Sequence, residues 1–211
     1  MNLMPSKQRW GFVVFRTDYS SDADWTKFME LYKTCPQRVL QAYGAQRATL
    51  ISSYEQMWWM EDRAEYENAS IDTLREHHRT WLATLDPQVR CRNYPEHWMF
   101  LVVDAEVMEQ IREMVDMVYE ELPLEQRPFV KVFDAQASNE SASDGYPGWM
   151  KVRLSGLYYL YEKALESWGM RELCVKHTIW FDRDAHPEQT YYVESDDSDS
   201  STSDDEVEFL G

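Results

Sequence analysis

Apolar residues follow two rhythms along this chain, and the switches between them outline its elements. Residues 10–17 (WGFVVFRT) form a short continuous run of β-branched and aromatic side chains, which predicts a buried strand. Ser20, Ser21 and Asp22 follow as good N-caps, and Asp24 stands three residues after Ser21, close to a capping box. Trp25, Phe28, Met29 and Tyr32 then recur at helical spacing, one stripe expected to pack on the first strand. Pro36 is expected to end or kink that helix, with a second piece running to Tyr43 before Gly44.

Residues 45–69 fit a strand or a helix equally well. Ser70 caps a clearer helix, whose Ile71, Leu74, His78, Trp81, Leu82 and Leu85 share a face before Pro87. Residues 98–103 (WMFLVV) predict a strand. Asp104 is placed to cap the next helix, which carries Val107, Met108, Ile111, Met114, Val115 and Val118 on one side. Residues 129–133 (FVKVF) predict another strand, with Lys131 facing solvent or at an edge. The small polar residues of 135–148 predict a loop. A helical stripe of Met150, Leu154, Leu157, Tyr161 and Leu165 is expected to run to Gly169, and 173–181 alternates as a half-exposed strand. The sum is an α+β two-layer domain with about four strands and helices packed on the sheet, its topology open. It spans residues 1–190. The Ser/Asp tract of 191–211 follows as a disordered acidic tail, too polar to offset the entropy of ordering.

Charge narrows the partners. The 211 residues carry a formal −17, of which −8 lies after Tyr191 and −9 in the body. Phosphate backbones and anionic membranes repel such a surface, so neither direct nucleic-acid nor membrane binding is expected, while a basic protein partner suits it. No stretch approaches the roughly 20 apolar residues of a span, and the start has no apolar signal core. Cys35, Cys91 and Cys174 are odd in number and widely spaced, which argues against a disulfide framework or a cysteine zinc site. A cytoplasmic or nuclear protein is expected.

Five segments stand in a familiar order: WGFVVFRTDY, SDADW, FLVVDAEVMEQI, FVKVFDA and YPGWMKVRLSGLYYLY. Together they resemble a set of uncharacterised filamentous-fungal proteins, over most of residues 10–168. The resemblance implies an intracellular protein and an accessory role beside secondary metabolism. It implies no catalytic residue, substrate or cofactor.

Phosphate-loop, dinucleotide and nucleophile-elbow patterns are absent, and no cofactor is expected. His77 and His78 point about 100° apart on a helix and so cannot share one ion; one packed and one solvated histidine is the plainer reading, and no metal is expected. Asp18 and Asp104 each follow a strand's carboxyl end, where sheet-based sites gather. If those strands are parallel neighbours, Asp18, Asp104 and Arg16 line one rim with His177 and could form an acid–base pair. The plainer reading makes Asp18 a turn residue, Asp104 a helix cap and His177 a core histidine. Trp149 either anchors the preceding loop or roofs a pocket. In the tail, Ser201, Thr202 and Ser203 each precede an acid by three residues, a pattern that suits an acid-directed kinase. Val207–Leu210 ends the tract with an apolar tip that a partner could take. Two function classes follow: a non-catalytic interaction or regulatory protein with an acidic surface, or a small accessory enzyme or ligand binder.

Overall fold

Ser21 Oγ accepts the Asp24 N–H at 3.1 Å, and Asp22 and Asp24 put two carboxylates in the first turn of α1 (Asp22–Gln41), where the helix dipole favours them. The computed structural model describes residues 10–41, 53, 55–90, 92–114, 122, 126–137, 145–167, 169–174 and 179–180. Cys91, residues 138–144 of the expected loop, His177 and the 191–211 tail lie outside the described residues. The helix α1 leaves β1 (Val13–Arg16) by a short turn and buries Trp25, Phe28 and Tyr32 in the same core as Phe12 and Val14. It continues through Pro36, so the helix does not end there. The proline costs one helical hydrogen bond, about 3 kcal/mol, and burial of three aromatic rings outweighs that.

Among the described residues the sheet has six strands, in the order β2 (Trp58–Met60), β1, β3 (Met99–Val103), β4 (Phe129–Asp134), β5 (Trp149–Arg153) and β6 (Ile179–Trp180). Parallel pairing joins β1 to both β2 and β3, and β5 to β6; β4 runs antiparallel between β3 and β5. The chain leaves β1 for β2 on one side and returns to β3 on the other. Crossovers of one hand then place their helices on opposite faces. Accordingly α1 lies on one face, and the short α2 (Arg63–Tyr66) and α3 (Ile71–Thr84) on the other. Alternate residues of each strand feed the two cores: Val14, Leu101 and Val132 towards α1; Val13, Phe15, Phe100 and Phe133 towards α2 and α3.

After α4 (Pro87–Arg90), a 3-10 turn at Pro95–His97 enters β3. Then α5 (Ala105–Glu113) and α6 (Leu157–Ala164) join α1's face, and α7 (Met170–Leu173) precedes the last strand. The α+β class stands as expected. Six strands replace about four, and helices cover both faces where two layers were expected.

Three local expectations change. Residues 149–153 are strand, not the start of a helix, because antiparallel pairing with β4 sets Phe133 opposite Trp149 and Val132 opposite Met150. Lys131 sits on an interior strand, paired with Asp104 at 2.5 Å and Glu106 at 2.6 Å instead of facing water. Leu173 ends a helix, so within 173–181 the described strand is Ile179–Trp180. No helix among the described residues is long and apolar enough to cross a membrane.

Candidate functional site

The carboxyl ends of β1 and β3 are neighbours: Arg16 pairs with Val103 across the parallel ladder. Asp18 and Asp104 therefore do follow adjacent parallel strands, yet each carboxylate is already engaged. Asp18 Oδ1 accepts the Ser20 N–H at 2.6 Å, a tight turn. Asp104 Oδ1 accepts the Val107 N–H at 3.2 Å as the N-cap of α5, and its Oδ2 holds Lys131. Arg16 is 5% exposed; it donates to the Asp18 carbonyl at 3.0 Å and to Asp22 Oδ1 at 2.6 Å, with its guanidinium 4.3 Å from the Tyr19 ring centre and 4.9 Å from that of Trp25. These groups shape a turn and a cap. Trp149 stacks on Phe133 at 5.9 Å and leaves the cavity described below to other residues.

The other end of the sheet is built differently. There the helix α3, capped by Ser70, lies against the turn after β4. Asp134 Oδ1 closes that turn by accepting the N–H groups of Gln136 (2.7 Å) and Ala137 (3.2 Å), and Arg75 Nε reaches across to the Asp134 carbonyl at 3.1 Å. A cavity of about 550 Å³ lies between them, walled by Asp72, Arg75 and Arg79 on one side and Gln136 on the other, with His78 and His97 also lining it. That volume falls in the range of small-molecule sites.

Both imidazoles have a fixed tautomer. His78 Nε2 lies 2.9 Å from the Glu96 carbonyl oxygen, and His97 Nδ1 lies 2.8 Å from the Arg92 carbonyl oxygen. A carbonyl only accepts, so each of these nitrogens carries the hydrogen and the other ring nitrogen presents a lone pair. His78 Nδ1 and His97 Nε2 are buried and have no hydrogen-bond partner among the described residues. His78 is fully buried and His97 is 8% exposed. Burial pushes the His78 pKa down to about 4, with His97 nearby adding to the effect, and burial lowers His97 as well. At neutral pH both are therefore uncharged acceptors.

The guanidiniums are one helical turn apart. Arg75 is the sheltered one, 15% exposed, and pairs with Asp72 at 3.0 Å; Arg79 reaches Glu76 at 2.6 Å. Behind the wall, Glu96 is buried and its pKa is pushed up to about 7 by loss of water, against the pull of the Tyr161 hydroxyl.

Sequence reasoning singled out His77 and His78 as a pair, and the structure separates them. His77 is part-exposed, 3.9 Å from Glu65 and edge-on to Tyr66, while His78 packs on Trp81 and Phe100. No group of three His, Cys, Asp or Glu suited to a metal ion occurs among the described residues. His97, Arg75 and Arg79 were missed. The helical stripe could have shown Arg75 and Arg79 flanking His78, but nothing near His97 marks it. No protein-family model, curated protein or solved structure matches this chain.

Proposed function

We propose that the protein is a non-catalytic binding protein whose cavity between α3 and the turn after β4 seats a small polar ligand. One observation carries this reading: Arg75, sheltered and held in place by Asp72 and the Asp134 carbonyl, lines a cavity of about 550 Å³ together with Arg79. A guanidinium that is already oriented binds a carboxylate or phosphate oxygen pair by parallel N–H donation. The rim at Asp18 and Asp104 supports an enzyme less well, since its carboxylates are occupied by a turn and a cap. Isothermal titration of the full chain with small oxyanions tests the reading: saturable binding lost in Arg79→Gln supports it, and absence of any saturable binding contradicts it.

A second reading rests on charge. A chain at −17 attracts basic surfaces, so a basic protein partner would associate faster at low salt. Among the described residues Val89 is the large apolar side chain left exposed, so such an encounter would rest on charge rather than on an apolar patch. A cytoplasmic or nuclear setting suits the free, buried thiols of Cys35 and Cys174. The resemblance to fungal proteins points the same way, towards an accessory role beside secondary metabolism.

A further inference from the structure

We infer that the Pro95–His97 turn is a pH-sensitive latch in the wall of the cavity, closed while the Glu96 carboxyl keeps its proton and opened when it loses it. The latch goes beyond the ligand-binding reading, and its test uses no ligand.

Glu96 stands in the middle of this three-residue turn and is 5% exposed. From α6, Tyr161 donates its hydroxyl hydrogen to Oε2 at 2.8 Å; the chain leading into β1 adds the uncharged rings of Trp10 and Phe12, edge-on to Tyr161. From α3, His78 gives its Nε2 hydrogen to the Glu96 carbonyl, while Arg79 is turned to Glu76 at 2.6 Å. On the turn's own segment stand Tyr94 and His97, and Arg92 donates its Nη1 hydrogen to the Tyr94 hydroxyl at 3.1 Å. Among the described residues no cation pairs with the Glu96 carboxyl. Ionised, it is a buried charge with a hydrogen bond and no counter-ion, a costly state; protonated, it is a neutral acid.

The turn is lightly held. Two backbone bonds close it, from the His97 N–H to the Tyr94 carbonyl at 2.9 Å and from the Trp98 N–H to the Pro95 carbonyl at 3.1 Å. Opening a short irregular segment takes far less free energy than unfolding the chain. Turning Glu96 to water rehydrates the carboxylate. It also withdraws the carbonyl that fixes His78 and moves His97, which lines the cavity.

The sign follows from linkage. Exposed, the carboxyl titrates near 4.5; buried, loss of water raises it to about 7. The open form therefore loses its proton first, so the open-to-closed ratio rises up to about tenfold per pH unit between these values and levels off above 7. His97, lowered by burial, acts in the opposite sense, because acid favours its exposure.

Hydrogen exchange of the His97 and Trp98 amides in the full chain, corrected for intrinsic rate, measures the opening. Glu96→Gln keeps the shape and never ionises, so the ratio of wild-type to variant opening isolates Glu96 from His97. That ratio should grow at least fivefold from pH 5.5 to 6.5 and change less than twofold from 7.5 to 8.5. At pH 7.5 the two amides should also open at least tenfold more often than those of β3. A ratio independent of pH overturns the latch. Opening no more frequent than that of β3 overturns it too, since the turn then opens with the whole fold. Should Glu96→Gln fail to fold, Tyr161→Phe replaces it: loss of a donor that favours the ionised form should move the levelling to higher pH, and levelling at an unchanged pH overturns the latch.

Discussion

Tyr161 donates its hydroxyl hydrogen to Glu96 Oε2 at 2.8 Å inside the protein, joining helix α6 to the turn that carries His97. The same residue, through its carbonyl, fixes the tautomer of His78. One buried glutamate thus ties the core on α1's face to the wall of the cavity on the opposite face.

That position makes Glu96 a source of pH dependence. Its carboxyl titrates near 4.5 when exposed and at about 7 in the folded chain, because burial penalises the charge. The folded state therefore binds more protons than the unfolded state between these values. The contribution of Glu96 to stability is largest below 4.5 and falls as pH rises to 7, by on the order of 3 kcal/mol. Glu55, also raised to about 7, acts in the same sense, while buried His78, depressed to about 4, acts oppositely between 4 and 6.5. Glu96→Gln isolates the one term: relative to wild type its melting temperature should rise progressively from pH 5 to pH 8. A difference that stays constant across that range would show that Glu96 does not change protonation on folding.

Trp25 supports the first helix against the sheet. Its ring stacks on Phe28 at 5.3 Å and meets Trp59 edge-on at 5.9 Å. Trp25→Ala should cost about 3–5 kcal/mol in denaturant unfolding, the usual loss for an emptied aromatic site. A cost under about 1 kcal/mol would mean the ring contributes no packing.

Much of this scaffold was legible because its signals are local. Ser21, Ser70 and Asp104 cap helices through their own side chains, and the runs at 10–17 and 98–103 are apolar enough to be strands anywhere in a core. The Trp58–Trp59 run defied reading because the two rings serve opposite faces, Trp58 against Trp81 and Trp59 against Trp25 and Tyr32. Met150 and Leu154 misled because a spacing of four serves a helix and also continues the in–out alternation of Met150 and Val152. The cavity was illegible for a different reason. His97 lines it beside α3, which begins 26 residues earlier, and beside the turn near residue 135, so the cavity is assembled by topology and not by neighbours in sequence.

Gly11 sits where no other residue fits. A β-carbon there would stand 1.7 Å from the Gln56 carbonyl oxygen, on the segment leading into β2. The backbone oxygen cannot move without breaking the parallel pairing of Val13 with Trp58. Gly11→Ala should destabilise by more than about 3 kcal/mol or abolish folding. A soluble variant with unchanged melting would mean that β2 does not pack beside β1 as described.

Asp104 is a cap and an ion-pair partner. Asp104→Ala should lose about 1–2 kcal/mol of stability, the range for a removed N-cap, and Asp104→Asn less, since the amide oxygen still accepts the Val107 N–H. Equal losses in the two variants would place the stabilisation in the Lys131 pair instead of the cap.

The central claim is that the cavity between α3 and the turn after β4 takes a small oxyanion on Arg75 and Arg79. Proton–nitrogen NMR of the arginine side chains tests it most directly. Adding inorganic phosphate to the full chain at pH 7.5 should move the Arg75 and Arg79 Nε–H resonances together and saturably. Resonances that stay fixed at high phosphate would contradict it.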